Sequence, residues 1–179
     1  MIPDWVVDTN VFVSAALTSG GVCDQVILHA VSGRFRIAWN NAILSEYREV
    51  LERKKFGLSR KTVRALLASL PAEGYSQGVE LKLELADEDD RPFLSVAAET
   101  ASKILVTGNP RHFPKHIVAQ IGVEVISPAE ALVRLEAVKG KPRPLKIFGL
   151  QKTSRRGHPL ISVRLARLAA CLHCGSGFF

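Results

Sequence analysis

No run of apolar residues in this sequence approaches the roughly 20 that a membrane-spanning helix needs. The N-terminus also lacks the basic region followed by a hydrophobic segment that directs export. Cysteine is scarce: three residues, an odd number without regular spacing, exclude a disulfide framework and agree with a reducing compartment. From these absences we expect a cytoplasmic protein with no membrane association. Acidic residues are missing from one end only. From Lys139 to Phe179 there are nine Lys and Arg and no Asp or Glu, so the formal charge of +7 belongs to that end. Positions 1–138 hold 15 basic and 17 acidic residues, a net of −2. That part is not a generally basic nucleic-acid binder, and any such affinity must come from a local groove or a metal site.

What is present suits one globular domain: 179 residues, 47% of them hydrophobic, are enough to close a core. Residues 2–7 are short, apolar and β-branched and read as a first strand, which Asp8 ends. In an open parallel α/β sheet ligands bind beyond the carboxyl ends of the strands, so Asp8 stands where chemistry is usually done. It also reads simply as a helix cap. Thr9 and Asn10 suit the start of a helix over 11–17 and the orienting of the Asp8 carboxylate.

Apolar spacing predicts further helices over 23–32 and from Asn40 or Asn41 to Lys54, with a strand over 35–39 between them. Cys23, in the first of these helices, is expected as a small buried hydrophobe. Glu46 lies beside the apolar stripe of the second. Ser59 opens another helix that Pro71 ends. Residues 79–85 alternate and are expected as a third strand. They run into Asp87-Glu88-Asp89-Asp90, which either favours a helix N-terminus or forms part of a site. Strands over 104–106 and 123–126 and a last helix from Pro128 to Val138 complete an α/β pattern. The expected architecture is a central, mostly parallel sheet of four to five strands flanked by helices.

Right-handed crossovers bring Asp8, Glu46 and Asp90 to one edge of such a sheet. Three carboxylates at close range are tolerated when a divalent cation neutralises them, and an oxygen-only set without His or Cys points to Mg²⁺ or Mn²⁺. Such a metal polarises water as a nucleophile and steadies charge on a phosphoryl group.

Four ordered stretches carry a resemblance: Val7-Asp8-Thr9-Asn10-Val11-Phe12, Ser45-Glu46-Tyr47-Arg48-Glu49-Val50-Leu51, Asp89-Asp90 with Phe93-Leu94, and Leu105-Val106-Thr107-Gly108. Together they resemble the successive motifs of the PIN-domain nucleases, in particular the PIN-family toxins of bacterial and archaeal toxin-antitoxin systems. The resemblance spans 2–138, so residues 1–138 are expected as a three-layer PIN-like domain. It implies a divalent-metal-dependent ribonuclease acting as a toxin, held in check by an antitoxin and paired into a homodimer. By position, Asp8, Glu46 and Asp90 match the catalytic and metal-binding carboxylates, with Asp89 out of phase with Phe93 by one. Asn10 matches the residue that orients Asp8, and Thr107 the Ser or Thr that supports the site.

Most of these nucleases carry a fourth Asp where this chain has Asn109, a neutral oxygen and so a weaker metal candidate. His112, in a loop beside Phe113 and Pro114, is expected to be structural, with facing RNA or assisting proton transfer as the alternative. The rival to catalysis is a PIN-fold module that binds RNA or protein without turnover. A haloacid-dehalogenase-type phosphatase would need an acid where Asn10 stands.

Residues 139–179 are expected as a basic, partly disordered extension with a short amphipathic helix over 161–172. They suit a charge-driven RNA contact, a partner surface or a solvated end with no dedicated role. Cys171 and Cys174 form a lone CxxC without a second pair, so no zinc site is expected within one chain.

Overall fold

The computed structural model describes residues 2–85 and 87–137. The expectations for 139–179, including the helix over 161–172 and the Cys171/Cys174 pair, lie outside the described residues. Four strands, β1 (Asp4–Val7), β2 (Arg36–Ile37), β3 (Ile104–Val106) and β4 (Glu124–Ile126), form one sheet in the order β2-β1-β3-β4. Every pairing is parallel. Parallel neighbours need crossovers, supplied here by helices. They are α1 (Thr9–Leu17), α2 (Val22–Val31), α3 (Asn41–Leu51), α4 (Arg60–Ala68), α5 (Arg91–Glu99), α6 (Lys115–Gln120) and α7 (Pro128–Ala137). Among the described residues no single helix is long and apolar enough to cross a membrane.

The central strands β1 and β3 are buried at Trp5, Val6, Val7 and throughout Ile104–Val106, because helices leave neither of their faces to solvent. Trp5 stacks on Phe35 at 4.8 Å between ring centroids. Local chemistry sets the helix starts as expected. Asn40 accepts from the backbone N–H of Ile43 at 2.9 Å, and Ser59 from that of Thr62 at 3.1 Å. Cys23 is half-buried rather than a core residue, and burial pushes its thiol up against a smaller opposing effect from Ser14. The short helix α6 lies where no helix was expected. Its six residues between Pro114 and Ile121 are too few to display a periodicity.

Residues 79–85 do not form a strand, so the sheet has four strands and not five. Leu81, Leu83 and Leu85 are half-buried and Lys82 and Glu84 exposed, so the alternation is real. The segment lies against α5 instead of entering the sheet. The Val79 N–H donates to the Ser95 carbonyl at 3.2 Å, and the Ser95 hydroxyl returns a bond to the Val79 carbonyl at 2.6 Å. The Arg91 guanidinium takes the carbonyls of Leu81 and Leu83 at 2.7 and 2.9 Å. Side-chain alternation describes an extended chain on any surface, and backbone partners decide whether it is a sheet.

Candidate active site at the carboxyl edge of the sheet

The register places the site. Val7 pairs with Val106 and Val106 with Ile126, so Asp8 and Thr107 leave the sheet side by side. The Asp8 N–H still donates to the Val106 carbonyl at 2.9 Å, and the Thr107 N–H to that of Ile126 at 3.0 Å. Asp8 then caps α1, as sequence allows, but it does more. Its Oδ1 accepts the Asn10 N–H at 3.0 Å, and its Oδ2 accepts the Asn10 amide at 2.5 Å and the Thr107 hydroxyl at 2.6 Å. A carboxylate offers about four acceptor positions, so three bonds fix its orientation and leave capacity for a ligand.

The Asn10 amide is held in turn. Its nitrogen also lies 3.1 Å from the Thr107 Oγ1, and its oxygen accepts the Gly108 N–H at 2.9 Å. A Cβ at position 108 would sit 3.1 Å from that oxygen, so glycine allows the β3 loop to close on the α1 terminus.

Glu46 reaches the same place from α3. Tyr47, fully buried, donates its hydroxyl to the Val7 carbonyl at the end of β1, which pins α3 to the sheet edge. The Thr9 hydroxyl donates to Glu46 Oε1 at 2.6 Å. Asp90 arrives from the start of α5, after a 3-10 turn over Glu88–Asp90. Beneath the three acids lies an aromatic cluster: Phe12 against Tyr47 at 4.6 Å and Tyr47 against Phe93 at 6.3 Å. Each ring sits within four residues of one carboxylate, so core packing itself gathers Asp8, Glu46 and Asp90.

These acids line one open cleft of about 490 Å³ together with Asp89, Asn109 and His112. Burial raises the Glu46 pKa, against the Thr9 hydrogen bond and with help from Asp8, Asp89 and Asp90. Burial likewise pushes Asp90 up to about 6. His112 opposes this, and Asp87 and Asp8 add to it. The His112 Nδ1 lies 3.7 Å from Asp90 Oδ2, an ion-pair distance too long for a hydrogen bond.

All the sequence-predicted positions, Asp8, Asn10, Glu46, Asp90, Thr107 and Asn109, therefore meet here. The Asn109 N–H donates to the Thr107 hydroxyl at 2.9 Å. Asp89, although out of phase with Phe93, also lines the cleft, and so does the exposed His112. Thr9, expected with Asn10 to orient Asp8, donates to Glu46 instead, while Asn10 and Thr107 hold Asp8. A Thr after a strand end carries no signal for a partner 37 residues further on.

The donors are oxygens, they share one cleft, and two of them resist ionisation because of burial and mutual repulsion, which a small hard cation relieves. Among the described residues no three His, Cys, Asp or Glu side chains already close around an ion. Mg²⁺ does not require such a cage, because it is held by one or two carboxylates and keeps several waters.

A parallel α/β domain with a carboxylate-lined cleft at the carboxyl ends of its central strands belongs to the class that does chemistry at a strand edge. Residues 4–111 match the family model of the PIN domain, and the chain belongs to that family, whose members are generally nucleases. No curated protein and no solved structure matched the chain.

Proposed function

We propose that this PIN-domain protein is a divalent-metal-dependent endoribonuclease that hydrolyses RNA phosphodiester bonds, acting as the toxin of a toxin-antitoxin pair in the cytoplasm. The observation that carries the catalytic part is the meeting of Asp8, Glu46 and Asp90 in one cleft over a shared aromatic cluster. Asp8, Glu46 and Asp90 would hold Mg²⁺ or Mn²⁺, with Asn109 as a weaker oxygen donor. When bound, the ion activates a water and offsets charge on the phosphoryl group. The chain's own residues do the positioning. Asn10 and Thr107 keep the Asp8 carboxylate in one orientation, and Thr9 does the same for Glu46. His112, exposed beside Asp90 on the same cleft, would face the RNA or assist proton transfer. The toxin role, an antitoxin that binds near the cleft and a homodimer are expectations that follow from the family resemblance.

The test is cleavage of single-stranded RNA by the purified full chain with Mg²⁺ or Mn²⁺, alongside EDTA and an Asp8→Asn variant. Metal-dependent cutting that disappears in both controls is the expected result. Absence of cutting, together with no calorimetric signal for metal binding, would sink the catalytic reading and leave a PIN-fold binding module.

A further inference from the structure

Three large aromatics near the cleft, Phe12, Tyr47 and Phe93, belong to the core, and Phe56 does not. It follows three cations in Arg53-Lys54-Lys55-Phe56-Gly57. Lys54–Phe56 form a 3-10 turn after α3, in which the Phe56 N–H donates to Arg53 at 3.0 Å and the Gly57 N–H to Lys54 at 3.1 Å. Gly57 ends it at φ 65°, a conformation that favours glycine, so the turn stops with the Phe56 ring on the cleft wall. The ring is half-buried, and the Lys55 ammonium covers it at 4.9 Å from the centroid. Arg53, Lys55 and Phe56 thus line the same cleft as the carboxylates.

We propose that this turn is a nucleotide subsite, with Phe56 as the platform for one unpaired base of a single-stranded nucleic acid and Lys55 and Arg53 as contacts to the phosphates beside it. The inference rests on the nuclease reading of the same cleft for its ligand class. The charge pattern supplies the argument. An acidic cleft repels a phosphodiester, so a strand needs compensating contacts on its neighbouring phosphates, and the same cleft holds two cations for them, Arg53 and Lys55. Both are available at low cost. Lys55 has no ion-pair partner among the described residues, and Arg53 is held by Glu49 at 3.0 Å in an exposed pair of the kind that contributes little. An exposed cation–π contact is weaker than a base stacked on an aromatic ring, so an incoming base displaces Lys55 from Phe56 and frees its ammonium for a phosphate. A base inside a duplex has no free face, so the occupant is single-stranded or locally unpaired.

The experiment is an anisotropy titration of a labelled single-stranded oligoribonucleotide of roughly ten nucleotides. The titrant is the full chain carrying Asp8→Asn, to prevent cutting. Adding Phe56→Ala is expected to weaken binding about tenfold, and Phe56→Trp to restore it. An oligonucleotide made abasic at one position is expected to bind as weakly as that variant does, with no further loss when the two are combined. Lys55→Gln should lower the slope of log K against log salt by about 0.7. Binding unchanged by Phe56→Ala, failure of Phe56→Trp to restore it, or no binding at all would overturn the subsite. Cutting by the unmodified chain is read separately. Cutting with Phe56-independent binding removes the subsite and keeps the nuclease, and Phe56-dependent binding without cutting does the reverse.

Discussion

Asp90 shows at the scale of one residue how a site is held against the stability of the fold. Its carboxyl is largely buried, with Asp87 and Asp8 nearby, and its pKa rises from 3.8 to about 6. An acid whose folded pKa is raised destabilises the fold where it must ionise. The penalty is absent below the unfolded value, grows between about pH 4 and 6, and is complete above that. We therefore expect Asp90→Asn to raise the melting temperature at pH 7 in EDTA, by about 1–2 kcal/mol of stability after allowance for solvent at the cleft rim. At pH 3.5 the two chains should melt alike, and thermal denaturation at both pH values checks the sign. The same variant is expected to lose RNA cutting. Thr107 makes the opposite case, a fully buried hydroxyl that donates to Asp8 and accepts from Asn109. Thr107→Val keeps the shape and removes those bonds, leaving Asp8 less firmly oriented, and a drop in cleavage of about tenfold or more with a small change in melting temperature is the expected outcome.

Among the elements, the segment over 79–85 and the start of α5 behave as one unit joined by Arg91. Its guanidinium binds Glu88 at 2.6 Å and takes two carbonyls of the segment. Lys presents no planar fork, so Arg91→Lys is expected to resemble Arg91→Ala. Both should free 79–85 to local opening, visible as faster hydrogen exchange and proteolysis there, at a cost of about 1–2 kcal/mol. Protection left unchanged would remove Arg91 from that role. The ladder shows what was legible. Strands over 104–106 and 123–126 and the caps Asn40 and Ser59 could be read because the information is local, in an apolar run or a side chain beside a free N–H. The alternation over 79–85 was equally local and still misleading, because the partner that occupies its carbonyls is a side chain several residues further on.

For the molecule as a whole, the core over Trp5 to Leu135 is closed within the described residues, with α7 packed on α2. A chain ending at Ala137 is expected to melt within a few degrees of the full one. Loss of the nine basic residues beyond it should reduce the salt dependence of RNA binding, measured as the slope of log K against log salt. An unchanged slope would assign those residues no part in RNA contact.

By itself the sequence determined the α/β alternation, the carboxylate ending the first strand and the order of the four motifs, since these depend on neighbours a few positions apart. Only the tertiary structure decided that the sheet has four strands, that Thr9 serves Glu46 and that Asp89 and His112 share the cleft. It also decided that Phe56 lies on the cleft wall while Phe12 and Phe93 lie in the core. Each of those outcomes depends on groups far apart in the chain competing for the same backbone atom, carboxylate or apolar surface. Packing resolves such competition, and local pattern carries no record of it.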